Sequence, residues 1–255
     1  LYLDVFGSDQ RSRCFNPDAG HAVPSRVSQG DRDFLRAVRQ GQPDGVALWG
    51  EFPTTDIASR YWDGFISYDC IPLHAYLAED YEVDDRAPQW SSLTLPPNVL
   101  RFLFPKMKQA VFPVGQEGYI ESWRFMKFLL FNGQALFDTT WRLYETDCRA
   151  KLGTSLQIMR THADCFSSDH PRMLVPTLRT HLYANEWPGT KRTVWTLFNG
   201  RYQMLRGNVL RVPHTPGAVY RDLWNDRVLT PEIQGDSAIL SLSLPPQGIG
   251  CIARK

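Results

Sequence analysis

The chain has 255 residues, of which 43% are hydrophobic and 22% are charged, and its formal net charge is +1. Such a composition is typical of a globular protein with one or two domains. The near-neutral charge gives no electrostatic case for nucleic acid or an anionic membrane as a partner. No apolar run approaches the roughly 20 residues that span a bilayer.

The first two strand-like runs each stop at a carboxylate. Leu1–Gly7 carries Asp4, and Gly45–Glu51 ends at an acidic side chain. A helical pattern separates them, with Ser28 as its predicted N-cap and an end near Gly41. Its inward face is predicted to hold Phe34, Leu35 and Val38. Two strands separated by one helix are the pattern of a βαβ unit.

The alternation of strand and helix continues to about residue 175. Further strands are predicted at Phe65–Asp69, Arg101–Pro105 and Gln134–Asp138, and helices at Tyr119–Phe131 and Thr154–Cys165. This gives about five β/α units, whereas a closed barrel needs eight. The fold class is therefore predicted as α/β, the C-terminal part of a (β/α)8 TIM barrel with strands four to eight. We expect the missing N-terminal half of the same protein to complete it.

The pattern changes near Arg179, after which no helical periodicity is found. Short alternating runs follow, and Asn199-Gly200 is predicted as a hairpin turn. The predicted strands are Thr193–Phe198, Tyr202–Leu205, Val209–Val212, Val219–Leu223 and Ile239–Leu244. We predict two domains, a partial barrel over 1–178 and an all-β antiparallel sandwich over 179–255.

The chain contains five cysteines, an odd number that cannot all pair internally. None lies at metal-ligand spacing from another, so buried free thiols are favoured over a disulfide framework. No metal site and no cofactor are predicted. The compartment is left open, with an extracellular or periplasmic location slightly favoured.

Carboxylates at the ends of barrel strands point to glycosidic bond cleavage. The C-terminal ends of barrel strands line the active site, so Asp4 and Glu51 are expected to share one pocket. Paired carboxylates are the groups that cleave a glycosidic bond, one as nucleophile and one as acid and base. Asp69 ends the next strand and is the rival acid. Residues that could bind a sugar are Arg11, His21, Trp49, His74 and Asp138.

These motifs resemble retaining glycoside hydrolases that carry a TIM barrel followed by a β-sandwich. Leu1-Tyr2-Leu3-Asp4 and Leu48-Trp49-Gly50-Glu51 look like the ends of barrel strands four and five. The loop from Cys14 to His21 resembles a Cys…Gly-His segment of the group. The nearest members are endo-α-N-acetylgalactosaminidase-like and α-amylase-like barrels, including bacterial relatives. The resemblance implies an Asp4 nucleophile, a Glu51 acid/base and an oligosaccharide or glycoconjugate substrate.

Two departures from the amylase pattern support another hypothesis. Tyr2 stands where that pattern has Arg, and Phe104-Pro105-Lys106 stands where the seventh strand would end in Asp. A non-catalytic carbohydrate-binding or structural protein on a decayed barrel is therefore the alternative. A barrel enzyme with non-sugar chemistry would need a phosphate-binding glycine loop, and no convincing one is present.

Overall fold

The computed structural model describes residues 1–3, 13–23, 25–51, 58–67, 97–111, 123–137 and 146–255. Its described helices are α1 (Val27–Gly41), α2 (Val99–Leu103), α3 (Trp123–Asn132), α4 (Thr146–Thr161) and α5 (Ala163–Phe166). Its first strands are β1 (Tyr2–Leu3), β2 (Arg13–Cys14), β3 (Ser25–Arg26), β4 (Trp49–Gly50), β5 (Gly64–Ser67), β6 (Lys108–Val111) and β7 (Ala135–Leu136). The later strands are β8 (Leu182–Pro188), β9 (Thr193–Asn199), β10 (Leu205–Pro213), β11 (Tyr220–Asp222), β12 (Arg227–Leu229), β13 (Glu232–Gln234), β14 (Ser237–Leu244) and β15 (Ile249–Arg254).

Five of the described strands form a parallel sheet in the order β1-β4-β5-β6-β7. Chain order and sheet order agree, and every neighbouring pair is parallel. Helices α1 and α3 lie in the connections, as parallel pairing requires. The mixed α/β class expected from the sequence is confirmed.

One face of this sheet is covered by the helices. Leu48 from the segment before β4 and Phe65 from β5 are fully buried in one apolar cluster with Leu35 of α1 and Leu129 of α3. The other face is concave, because the rings of Tyr2 in β1 and Phe137 after β7 stack with centroids 6.2 Å apart. Side chains of the two edge strands meet only if the sheet curves.

The strand predicted at Arg101–Pro105 is wrong, since this segment contains helix α2. The side chain of Asn98 accepts a hydrogen bond from the backbone N–H of Leu100 and so caps the helix. The strand of this unit is β6, which begins later at Lys108. A short apolar run carries no decisive period, so helix and strand cannot be separated by pattern alone.

Helix α1 ends at Gly41 as predicted, but its start and its inward face need correction. It begins at Val27, so Ser28 lies inside the helix and is not its N-cap. Leu35 is fully buried, whereas Phe34 remains 47% exposed. Adjacent residues lie about 100° apart around a helix, so the two side chains cannot both face the centre of the core.

The C-terminal part of the chain consists of two antiparallel sheets around one core. The larger has the order β12-β11-β15-β9-β8 and the smaller has the order β10-β14-β13. Buried Leu197 and Ile252 from the larger sheet share one cluster with Leu210 and Leu240 from the smaller sheet. As expected, no helix lies beyond residue 179.

The hairpin predicted at Asn199-Gly200 is wrong. Strand β9 pairs with β8 and β15, while the following strand β10 belongs to the other sheet. The side-chain amide of Asn199 donates to the carbonyl oxygens of Gln203 and Pro245, both within 2.9 Å. Tyr202 is exposed and lies in no strand. Asn199 therefore holds a crossover between sheets.

Three of the described cysteines, Cys148, Cys165 and Cys251, are buried, as expected, and the last two are free thiols. Cys14 is a half-buried free thiol, and Cys70 lies outside the described residues. Burial raises the pKa of Cys165 to about 11, so this thiol stays protonated at neutral pH.

A buried junction joins the helices of the parallel sheet to the antiparallel sheets. The carbonyl oxygen of Phe131, near the end of α3, accepts from the hydroxyl of Thr196 at 2.8 Å and the amide of Asn185 at 3.0 Å. The indole N–H of Trp187 donates to the Thr196 oxygen at 3.0 Å. The Phe198 ring packs against Phe131 with centroids 6.1 Å apart. Polar and apolar contacts thus hold the same junction.

Arg101 is the charged centre of this junction and is only 1% exposed. Its guanidinium donates to the carbonyl oxygens of Gly133, Pro105 and Phe166 and lies 5.2 Å from the centre of the Trp187 ring. Burial lowers its pKa to about 10, so it remains protonated at neutral pH. One cation therefore satisfies three carbonyl groups from separate segments.

Replacing Arg101 by Met is expected to lower the free energy of unfolding by about 2–4 kcal/mol. The apolar side chain removes the buried charge but leaves the three carbonyl oxygens without their donor. Urea unfolding followed by circular dichroism measures the change. Arg206→Met on the exposed side of β10 is the control and should change stability by about 0.5 kcal/mol or less. Equal effects of the two variants would contradict the role of Arg101.

Candidate functional site

Glu51 follows directly on β4, at the C-terminal end of an interior strand of the parallel sheet. Leu3 of β1 pairs with Gly50 of β4, and the next residues in the sequence are Asp4 and Glu51. Asp4 lies outside the described residues. The described pairing brings the two sequence positions before the candidate carboxylates side by side.

Strand alternation directs Glu51 to the concave face. Leu48 is fully buried in the helix-facing cluster, and Gly50 lies against the ring of Trp62, which belongs to the same cluster. Successive side chains of a strand point to opposite faces, so Trp49 and Glu51 share the other face. Glu51 is 8% exposed, which places this carboxylate away from bulk solvent.

Two glycines allow tryptophan rings to pack against this strand. A Cβ atom on Gly50 would lie 2.5 Å from the Trp62 ring, and one on Gly64 would lie 2.6 Å from the Trp49 ring. Such distances are below van der Waals contact, so only glycine fits at either position. Trp49 is half-buried beside Glu51, while Trp62 is packed in the core.

His21 belongs to a small hairpin that follows the candidate nucleophile in the sequence. Strands β2 and β3 pair through Cys14 and Ser25, and the loop between them turns at Gly20 with a φ of +73°. His21 is exposed, and its Nδ1 lies 3.0 Å from the carbonyl oxygen of Ala22. Its hydrogen bond is therefore local, whereas Trp49 lies on the strand that leads to Glu51.

The remaining predicted site residues lie outside the described residues. They are Asp4, Asp69, Arg11, His74 and Asp138. Strand β5 ends at Ser67, two positions before the rival acid, and β7 ends at Leu136, two positions before the predicted sugar ligand. The structure therefore brings together Trp49 and Glu51, and the roles of the other candidates stay predictions.

Sequence reasoning missed the aromatic pair of Tyr2 and Phe137 on the concave face. Tyr2 pairs with Trp49 across β1 and β4, so it shares the face that carries Glu51. The signal was present in the alternation, because Tyr2 stands two positions before Asp4. Its contact with Phe137 could not be foreseen, since it joins strands 135 residues apart.

The described part of the chain contains no helix that is long and apolar enough to cross a membrane. Within the same residues, no group of three or more His, Cys, Asp or Glu side chains is arranged to hold a metal ion.

Comparison with known proteins identifies a fold but no sequence family. No family model and no curated protein matches the chain. A debranching enzyme from Nostoc punctiforme is structurally similar, with a TM-score of 0.57 and 14% identity over 98% of this chain and 57% of that chain. An α-amylase from H. orenii has a TM-score of 0.52 and 10% identity over 94% and 59% of the two chains. A Bacteroides fragilis protein assigned as an α-galactosidase has a TM-score of 0.54 and 10% identity over 93% and 53%.

These structures share the fold of TIM-barrel glycoside hydrolases of the α-amylase and α-galactosidase types. The chain spans little more than half the length of each. A partial barrel of the α-amylase type accounts for both the shared fold and the coverage of little more than half of each structure. The parallel order β1-β4-β5-β6-β7 is the arrangement that such a partial barrel requires.

Gly50→Ala is expected to lower the free energy of unfolding by about 1–3 kcal/mol, because its methyl group would overlap the Trp62 ring. Thermal and urea unfolding measure the effect. Gly153→Ala in α4 is the matched control, since a Cβ there meets no atom within 4 Å. That control should stabilise the protein by up to about 1 kcal/mol through helix propensity. A neutral Gly50 variant would mean that the packing beside Glu51 is loose.

Proposed function

We propose that the protein is a retaining glycoside hydrolase that acts on an α-linked glycan, with Asp4 as nucleophile and Glu51 as general acid and base. The observation that carries the proposal is Glu51, a carboxylate that is 8% exposed at the C-terminal end of a parallel strand in a glycosidase fold. Burial of an acidic side chain is costly, so a buried carboxylate is uncommon unless it is paired, hydrogen-bonded or functional.

The proposed mechanism follows from the two strand ends. Asp4 attacks the anomeric carbon to form a covalent glycosyl-enzyme, while Glu51 protonates the departing oxygen. Glu51 then removes a proton from water, which releases the sugar with its configuration retained. The two carboxyl groups must lie about 5–5.5 Å apart for this sequence of steps. Trp49 offers a flat ring beside Glu51 for a sugar, and Arg11, His21, His74 and Asp138 are proposed partners for its hydroxyl groups.

The proposed architecture assigns β1, β4, β5, β6 and β7 to barrel strands four to eight. The two antiparallel sheets are then the C-terminal sandwich, with the domains divided at residues 178 and 179. An N-terminal half of the same protein would complete the barrel, and an extracellular or periplasmic location is proposed for the whole. The narrower kinship with endo-α-N-acetylgalactosaminidases rests on the two strand ends and the Cys14–His21 loop.

Asp69 remains the competing acid. The α-galactosidase arrangement takes its nucleophile from strand four and its acid from strand six, and the Bacteroides fragilis structure has a similar fold. In the proposed numbering β5 is strand six, and Asp69 follows it by two residues. Glu51 is favoured because the resemblance to amylase-like barrels takes the acid from the end of strand five, where Glu51 is 8% exposed.

Of the two sequence departures that favour the non-catalytic alternative, one is weakened by the structure and the other stands. Phe104–Lys106 is not the end of the seventh strand, because that strand is β6 in the proposed numbering and it ends at Val111. The absence of Asp from Phe104–Lys106 therefore does not count against activity. The first carboxylate after it in the sequence is Glu117, outside the described residues. Tyr2 still stands where the amylase pattern has Arg.

Glu51→Gln is expected to lower kcat on nitrophenyl α-glycosides by about 100- to 10,000-fold, because the amide cannot transfer the proton. The assay uses the full natural polypeptide and substrates of glucose, galactose and N-acetylgalactosamine. Azide should restore turnover of Glu51→Ala, because it attacks the glycosyl-enzyme without a general base.

Asp44→Asn is the matched control, an exposed carboxylate just before the β4 segment. It should leave kcat within about twofold. Loss of activity in Asp69→Asn, with activity kept in Glu51→Gln, would transfer the acid role to Asp69. Glycan binding without turnover by the native protein would favour the non-catalytic alternative.

A further inference from the structure

A basic cleft of about 420 Å³ lies in the antiparallel part, between the β8–β9 turn and the loop that leads to β11. Four cationic side chains line it, from Lys191, Arg192, Arg254 and Lys255. Among the described residues of its lining, none is Asp or Glu. For a protein with a net charge of +1, this is a local concentration of positive charge.

One cation of the cleft is held in a fixed position. The guanidinium of Arg254 donates to the carbonyl oxygen of Pro213 at 3.0 Å and to the hydroxyl of Thr193 at 3.2 Å. Its Cζ lies 5.7 Å from the centre of the Trp195 ring. None of these partners carries a negative charge, so its positive charge is not neutralised there.

The other cations differ in their partners. Arg192 forms an ion pair with Asp164 at 3.6 Å. Lys191 and Lys255 are exposed, and neither forms an ion pair with a described carboxylate. The cleft therefore combines one ordered guanidinium with two adjustable ammonium groups, an arrangement that suits an anion arriving from solvent.

A second cavity of about 990 Å³ adjoins the cleft and shares Arg192 and Lys255 with it. It runs between α4 and the larger antiparallel sheet and is partly lined by Trp224. Trp224 stacks on Trp123 with centroids 5.4 Å apart and an interplanar angle of 20°. Trp123 covers one face of the Trp224 indole and holds it in place, and Trp224 also lines the cavity. The volume is within the range of roughly 300–1,000 Å³ typical of small-ligand sites.

Polar side chains line the same cavity, and its one described side-chain carboxylate, that of Asp226, is paired with Arg221 at 2.6 Å. Thr154 and Gln157 of α4 line the cavity from one side, and Asn225 lines it from the other. Hydroxyl and amide side chains both donate and accept hydrogen bonds, which matches the hydroxyl groups of a sugar. We refer to the basic cleft and this cavity together as the cleft–groove site.

We propose that the cleft–groove site binds an acidic glycan, with one sugar ring against Trp224 in the cavity and a carboxylate or sulfate group of another sugar of the same glycan at Lys191, Arg254 and Lys255 in the cleft. The choice of a glycan rests on the proposed function. The site is separate from the strand-end site, because Glu51 and Trp49 are absent from its lining. A glycan that carries such anionic groups would be held here while another part of the same glycan reaches Asp4 and Glu51.

The test measures binding and not turnover. Calorimetric titration of the Glu51→Gln protein at low salt uses hexagalacturonate, sulfated maltohexaose and neutral maltohexaose as probes. The first two separate a carboxylate from a sulfate ligand. Lys191→Gln combined with Lys255→Gln removes the two exposed charges. Arg201→Gln combined with Arg206→Gln removes the same charge from exposed positions outside the site.

We expect at least one acidic probe to bind more tightly than maltohexaose, with affinity falling as salt rises. The double lysine variant should weaken that binding by roughly fivefold and leave the neutral probe unchanged. The double arginine control should stay within about twofold of the parent. Trp224→Phe, which keeps an aromatic ring against Trp123, should weaken both kinds of probe.

Three results would overturn the proposal: equal binding of acidic and neutral probes, equal effects of the lysine and arginine variants, or tighter binding of a uridylate oligomer or phosphatidylserine vesicles. The last would mark the cations as a nucleic-acid or membrane contact. Because the titrated protein already lacks the Glu51 carboxylate, loss of glycan binding leaves the hydrolysis test untouched, and failure of hydrolysis leaves this one untouched.

Discussion

The structure depends on backbone carbonyl groups at helix ends that the helices themselves cannot satisfy. The carbonyl of Phe131 in the last turn of α3 is paired by side chains of β8 and β9, and those of Gly133 and Phe166 by Arg101. A buried carbonyl without a donor costs about 1–3 kcal/mol. The antiparallel sheets therefore supply the donors for Phe131, and helix α2 supplies the donor for Gly133 and Phe166.

This junction extends to the strand ends through the chain itself. Helix α3 leads within three residues into β7, the edge strand of the parallel sheet. Phe137, directly after β7, meets Tyr2 of the opposite edge strand and marks the curvature of the sheet. Glu51 lies on the face that this curvature encloses. The antiparallel part is thus a structural support for the concave face.

Local patterns predicted the parts of the fold that local physics determines. The period of α1 and its end at Gly41 follow from the sequence, as does the burial of Leu35. Glu51 could be found because a short apolar run stops there after a helix. Helix α2 was missed because its apolar run is too short to show a helical period, and the contact of Arg101 with Phe166, 65 residues away, leaves no local signal. Asn199 was missed because its side chain holds Pro245, 46 residues away, and this contact overrides the turn preference of Asn-Gly.

Helix α3 also connects the candidate site to the cleft–groove site. Its first residue, Trp123, stacks on Trp224 in the cavity of the cleft–groove site, and Phe131 near its last residue lies at the buried junction. Lys151 of α4 lies 5.8 Å from the centre of the Trp123 ring and packs on the same end. Changes within α3 would disturb the groove and the parallel sheet together. The lysines at positions 191 and 255 are exposed and lie off this helix, so glycan binding can be altered there while the strand ends keep their support.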